Sequence, residues 1–118
     1  MSEFRKLQVW QKAHLLALES AGFARLISRK RRGLADQITR AADAIPANIA
    51  EGRGSATDRD FARHVTIAIK EANELENHIQ RAVDGDLCPR SQYEALTVAT
   101  VEVRKMLIGL RKRLIERA

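Results

Sequence analysis

Glu74 and His78 stand four residues apart, a spacing that puts both side chains on one face of a helix. A carboxylate and an imidazole so placed could share a divalent cation, although a structural pair on the surface explains the spacing more simply. Di-iron helical sites require Glu-x-x-His, and here Glu74 is followed three residues later by Asn77, and Glu76 by Ile79. His14 and His64 have no neighbours at ligand spacing. Cys88 precedes Pro89 without a local activating residue, so it does not read as a nucleophile. The glycines of Glu51-Gly52-Arg53-Gly54-Ser55 lack the spacing, the lysine and the preceding strand of a phosphate-binding loop. The expectation is a protein with no catalytic residues, no metal and no cofactor.

Charge is more informative. The chain carries a net +6, but residues 1–34 hold +6, residues 35–86 hold −4 and residues 87–118 hold +4. Arg25, Arg29, Lys30, Arg31 and Arg32 crowd one stretch, and Arg111, Lys112, Arg113 and Arg117 another. In an up-down-up-down bundle these fall at opposite ends, the second group joined by Arg5, Lys6, Arg53 and Arg59. Such clusters suit phosphate contacts with RNA or DNA. Cations at helix C-termini are also favoured by the helix dipole, by about 0.3–1 kcal/mol each and without any ligand. A third reading pairs basic outer helices with acidic middle helices of a neighbouring subunit.

Asn48, Glu51, Asn73 and Glu74 are polar residues set among apolar helical positions. Buried groups of this kind need partners; the simplest role is a hydrogen-bonded motif that fixes helix register or subunit pairing, and the alternative is a ligand or partner site.

The elements that must position these residues are helical. Ala, Leu, Glu, Lys and Arg supply 60 of the 118 residues, against two Pro and six Gly, which argues for long helices in a single domain, residues 1–118. Phe61, Val65, Ala68, Ala72, Leu75, Ile79 and Ala82 follow at alternating spacings of 4 and 3. They form the seam of a helix started by Thr57 and Asp60 and stopped at Gly85 and Pro89. Ser91 with Glu94 predicts the next N-cap, before Tyr93, Leu96, Thr100, Val103, Leu107, Leu110 and Leu114. That helix carries a second apolar line, Val98, Val101, Ile108 and Ile115, a candidate oligomer interface. Upstream, a helix from about Leu7 to Ser28 is separated by Gly33 from one running from Leu34 to Gly52, with Pro46 predicting a kink or break near Asp43 to Ile45. Four helices with short connections predict an all-α, antiparallel up-down-up-down four-helix bundle. No apolar run approaches the roughly 20 residues of a membrane span. The opening Met1-Ser2-Glu3-Phe4-Arg5-Lys6 leads into no secretory segment, and the lone Cys88 suits a reducing cytoplasm.

The stretch Gln37-Ile38-Thr39-Arg40-Ala41-Ala42-Asp43-Ala44-Ile45-Pro46-Ala47-Asn48-Ile49-Ala50-Glu51-Gly52 resembles the signature of a bacterial four-helix-bundle family, the large-subunit ribosomal RNA intervening-sequence proteins. These are similar to the accessory proteins of diversity-generating retroelements. Leu7-x-Val9-Trp10-x-x-Ala13, Phe61 with Ile67-Ala68, Glu74-Leu75-Glu76 and Leu107-Ile108-Gly109-Leu110-Arg111 also look like that family, so the likeness covers nearly the whole chain. The resemblance implies a homo-oligomeric ring, typically a pentamer, in the cytoplasm and of mostly unassigned role. The retroelement relatives bind nucleic acid and a reverse transcriptase through a basic surface. Together these observations lead to a non-enzymatic homo-oligomer that binds RNA or DNA through an assembled basic surface. The alternative is a structural or scaffold protein that binds another protein through its helical faces.

Overall fold

Thr57 adopts an extended backbone, and its hydroxyl accepts the Asp60 amide at 3.1 Å, so the cap read from these two residues does start a helix. That helix, α3 (Asp58–Asp84), is the third of four in the computed structural model, which describes residues 3–118. Met1 and Ser2 of the opening stretch lie outside the described residues. A 3-10 turn (Phe4–Lys6), α1 (Gln8–Ile27) and α2 (Arg32–Arg53) precede α3, and α4 (Arg90–Arg117) follows it. The described residues contain no strand, and the fold is an all-α four-helix bundle.

All seven residues of the α3 seam are buried, most of them completely. Beyond Asp84 the Leu87 amide bonds the Ala82 carbonyl and the Asp86 amide bonds that of Val83, a Schellman closure. The left-handed position of this closure falls on Asp86, at φ 57°, while Gly85 keeps an ordinary negative φ.

Three boundaries differ from the reading of the sequence. Gly33 does not separate two helices but sits in the first turn of α2, where amides have no intrahelical acceptor to lose. The helix expected to end at Gly52 runs one residue further, to Arg53, so that Gly52 lies inside its last turn. The N-cap of α4 is Pro89 and not Ser91; its carbonyl accepts the amides of Gln92 and Tyr93, both at 3.2 Å. Proline's fixed φ already provides the extended geometry that a cap residue needs. The α2 helix continues through Pro46, which is itself buried, so the chain does not break there.

The helices pack in order, α1 on α2, α2 on α3 and α3 on α4, with a thinner contact closing α4 on α1. Side-chain pairings descend along one helix as they ascend its neighbour. Arg40 meets Glu74 while Asn48 meets His64, and Asn73 meets Arg104 while Gln80 meets Tyr93. Neighbours with this register are antiparallel. The body measures 45 × 20 × 19 Å, about the length of the 28-residue α4 at 1.5 Å per residue. Leu16, Ile38, Ile45, Leu75 and Leu107 fill its axis, each fully buried, at about 1.5–3 kcal/mol of transfer free energy apiece.

Candidate functional site

Successive helix residues step by about 100°, so three in a row can face three directions. On α3, Leu75 points into the core with no exposure. Glu74, one step to one side, accepts a hydrogen bond from Arg40 of α2. Glu76, one step to the other, accepts from Arg104 of α4. Arg40 also reaches Glu71 at 3.5 Å, and Arg104 donates to Asn73 Oδ1 at 3.1 Å. The Glu-Leu-Glu segment therefore ties the helix to both neighbours across a core leucine. His78 Nε2 lies 3.4 Å from the same Glu74 carboxylate, so the spacing that could have shared a cation serves a contact with Arg40 and His78.

Asn48 and Glu51 converge elsewhere, on the buried His64. Asn48 Nδ2 donates to the Ala44 carbonyl at 2.8 Å, and its Oδ1 faces His64 Nδ1 at 3.4 Å. Glu51 approaches the same nitrogen at 3.7 Å. Arg63 lies 3.1 Å from His64 Nε2, and a guanidinium can only donate. Nε2 is thus the acceptor, and Nδ1 carries the hydrogen that Asn48 accepts. Of the four polar residues singled out, Asn48 and Glu51 share one partner, while Asn73 and Glu74 face different helices.

Beside this cluster the Arg63 guanidinium, 2.9 Å away, and Ser55 hold the Asp60 carboxyl below its ordinary value of 3.8. A depressed folded pKa means that the contribution is present above pH 3.8 and is lost as pH falls through the lower folded value. Thermal unfolding followed from about pH 5 to about pH 2 is expected to show a smaller acid loss for Asp60→Asn than for the unchanged chain. Equal losses would remove Asp60 from the acid response.

The cations fall at the two ends of the bundle. Arg25, Arg29, Lys30, Arg31 and Arg32 surround the α1–α2 turn, all exposed. Among the described residues none of them has a carboxylate within 4.0 Å. At the other end Arg5 pairs with Glu3 at 3.4 Å, and Arg117 forms a two-pronged contact with Asp58 at 3.1 and 3.2 Å. That pairing pushes the Arg117 pKa up. Lys6, Lys112 and Arg113 are exposed, whereas Arg53 and Arg111 are half-buried.

Large exposed apolar residues occur only on the outer helices among the described residues: Leu15, Leu18 and Leu26 on α1, and Val98, Ile108 and Ile115 on α4. Val101 is half-buried. A cleft of about 280 Å³ opens between the two helices, lined by Glu19, Gly22, Phe23, Gln92, Ala95 and Leu96. Burial pushes the Cys88 thiol up, away from the thiolate. Among the described residues no three His, Cys, Asp or Glu side chains gather to hold a metal ion, and no helix is long and apolar enough to cross a membrane.

Sequence reasoning weighed His64 only as a metal ligand and found it no neighbour, and it gave Arg40 and Arg104 no role. Asp60 and His64 do stand at i, i+4, which was a usable signal, but the arginine partners lie 28 to 34 residues from their carboxylates.

A family model described as 23S rRNA-intervening sequence protein matches residues 5–109. The chain belongs to that family. A second likeness is to the crystal structure of a protein of unknown function from the S23 ribosomal protein family of Bacteroides thetaiotaomicron. It superposes with a TM-score of 0.84 at 28% identity, over 88% of this chain and 98% of that one. No curated protein matches the chain significantly. In this chain the Ile45-Pro46-Ala47-Asn48-Ile49-Ala50-Glu51-Gly52 stretch forms the α2 side of the His64 cluster, and Glu74-Leu75-Glu76 forms the central tie of α3. Neither description names an enzymatic activity.

Proposed function

We propose that this member of the family is a non-catalytic, cytoplasmic homo-oligomer that binds nucleic acid through an assembled basic surface. The observation that carries this reading is the α1–α2 turn, where five exposed cations have no carboxylate in reach among the described residues. Cations that only complemented helix dipoles would be free to pair with surface carboxylates, as Arg117 and Arg5 do. An unpaired group keeps its full attraction for phosphate and releases counterions on binding. The basic residues of the opposite end, Lys6, Lys112 and Arg113, extend the surface once copies assemble. Self-association has its own support in the apolar residues of α1 and α4, which a monomer leaves in water. A ring of five is the arrangement that the family resemblance implies. The same apolar residues favour the second reading, a scaffold that binds another protein.

Binding of a generic RNA and a generic DNA between about 50 and 200 mM salt tests the first reading. Affinity is expected to fall steeply with salt. The triple change Arg29→Gln, Arg31→Gln, Arg32→Gln is expected to lower the salt slope by about one for each of these side chains that neutralises a phosphate. Absent or salt-insensitive binding at micromolar protein overturns nucleic-acid binding. The mass by light scattering is expected to be a multiple of 13.3 kDa, and a strict monomer at high concentration overturns the assembly.

A further inference from the structure

The end of the bundle opposite the α1–α2 turn carries an aromatic group that reaches from the core, against which Trp10 packs, out to solvent. The Phe4 and Trp10 rings meet edge to face, with centroids 5.1 Å apart at 63°. His14, one helical turn beyond Trp10, lies parallel to the indole at 4.7 Å and 11°. The Arg5 guanidinium sits 4.6 Å over the Phe4 ring. Gln11 Nε2 donates to the Arg5 carbonyl at 2.8 Å and pins the 3-10 turn to α1, holding the group together. Trp10 and Phe4 are half-buried, whereas Arg5, Lys6 and His14 are exposed.

The Phe4–Trp10 contact alone would anchor the N-terminal turn, since an edge-to-face aromatic pair is favourable in itself. His14 is exposed and stacks on Trp10 rather than on the N-terminal turn. An exposed ring held parallel over an indole is instead the geometry in which planar groups continue a stack, and the neighbouring Arg5 and Lys6 bring positive charge to its edge. Arg5 is partly engaged by Glu3 at 3.4 Å, an exposed pair that a phosphate can displace at small cost.

We infer that Phe4, Trp10 and His14 form a stacking platform for the bases of single-stranded nucleic acid, with Arg5 and Lys6 contacting the adjoining phosphates. This rests on the nucleic-acid reading above and specifies the strand state that the protein selects. Bases inside a duplex have both faces covered by their neighbours, so away from duplex ends only unpaired bases can extend the His14 stack. Stacking on aromatic rings combined with cationic phosphate contacts is the general means of holding single strands without reading their sequence.

Trp10 is the chain's only tryptophan, so its emission reports on the site directly. The experiment titrates the full chain with oligo(U) and oligo(dT) of about 12 nucleotides and with a duplex of the same length, following Trp10 fluorescence and anisotropy of the labelled strand. Either single strand is expected to quench Trp10, and the duplex is expected to leave it unchanged. Comparing oligo(U) with oligo(dT) separates RNA from DNA. His14→Ala, a change at an exposed helical position, is expected to weaken single-strand binding about fivefold or more, with duplex affinity unaltered. His14→Phe is expected to restore it, because it is the planar ring that does the stacking. Single-strand binding that leaves Trp10 emission unchanged and is indifferent to His14→Ala overturns the platform and leaves the basic-surface reading standing. Failure of every strand to bind overturns both.

Discussion

Leu75→Ala is expected to destabilise the protein by about 2–5 kcal/mol, lowering the unfolding midpoint by roughly 10 °C or more. Leu75 has no exposed surface, and α3 is packed between α2 and α4, so the cavity left behind is walled by three helices. Closing the void would require whole helices of 22, 27 and 28 residues to shift against the rest of the core, so the walls relax only in part. The flanking carboxylates behave differently. Their side chains are 41% and 36% exposed, so Glu74→Gln and Glu76→Gln are each expected to cost within about 1 kcal/mol. Denaturant unfolding of the three variants checks the ordering. A Leu75→Ala cost no larger than the two glutamate changes would mean that the core is not packed as described.

Gly52→Ala is expected to destabilise by about 1–2 kcal/mol, although alanine is the better helix former. A Cβ at Gly52 would lie 2.7 Å from Phe61 Cδ1 and 2.9 Å from His64 Cβ, closer than side chains approach. The Phe61 ring is buried, and His64 Cβ is fixed to the backbone, so neither can swing aside. The helices must separate, which also draws His64 from Asn48. Gly33→Ala is the matched control, because nothing lies within 4 Å of a Cβ there. It is expected to stabilise by up to about 1 kcal/mol, the ordinary gain on replacing a helical glycine. Thermal unfolding of both variants reads the difference in sign. A stabilising Gly52→Ala would show that α2 and α3 do not approach so closely.

These two glycines also mark what the sequence could convey. The seam from Phe61 to Ala82 was legible because burial repeats with the period of the helix. The cap at Thr57 was legible because its partner lies three residues away. Gly33 was read as a separator and Gly52 as a helix end because glycine looks the same whether it ends a helix or admits a neighbour. Ser91 was read as a cap because a serine followed by a glutamate is a common signal, while Pro89 two residues earlier had already begun the helix. The cationic clusters were visible as runs, but which cations are paired was not. Arg117 finds Asp58 across 59 positions, and no local pattern records that. Asn73 and Glu74 are adjacent in the chain, and only the bundle reveals that they serve different helices.

The thin seam between α1 and α4 bears on how the molecule comes together. Three of the four helix interfaces join helices that are neighbours in the chain, so most packing is gained by closing short loops, which favours rapid folding. The fourth joins the first helix to the last and requires the whole chain to be in place. It is also the most sparsely packed, and a cleft lies within it. Local opening is cheapest where it exposes little apolar surface, so this seam is where the closed bundle loosens first. A chain still emerging from synthesis would hold α2 and α3 against each other before this edge is sealed. The exposed leucines of α1 and the second apolar line of α4 flank the joint that closes last.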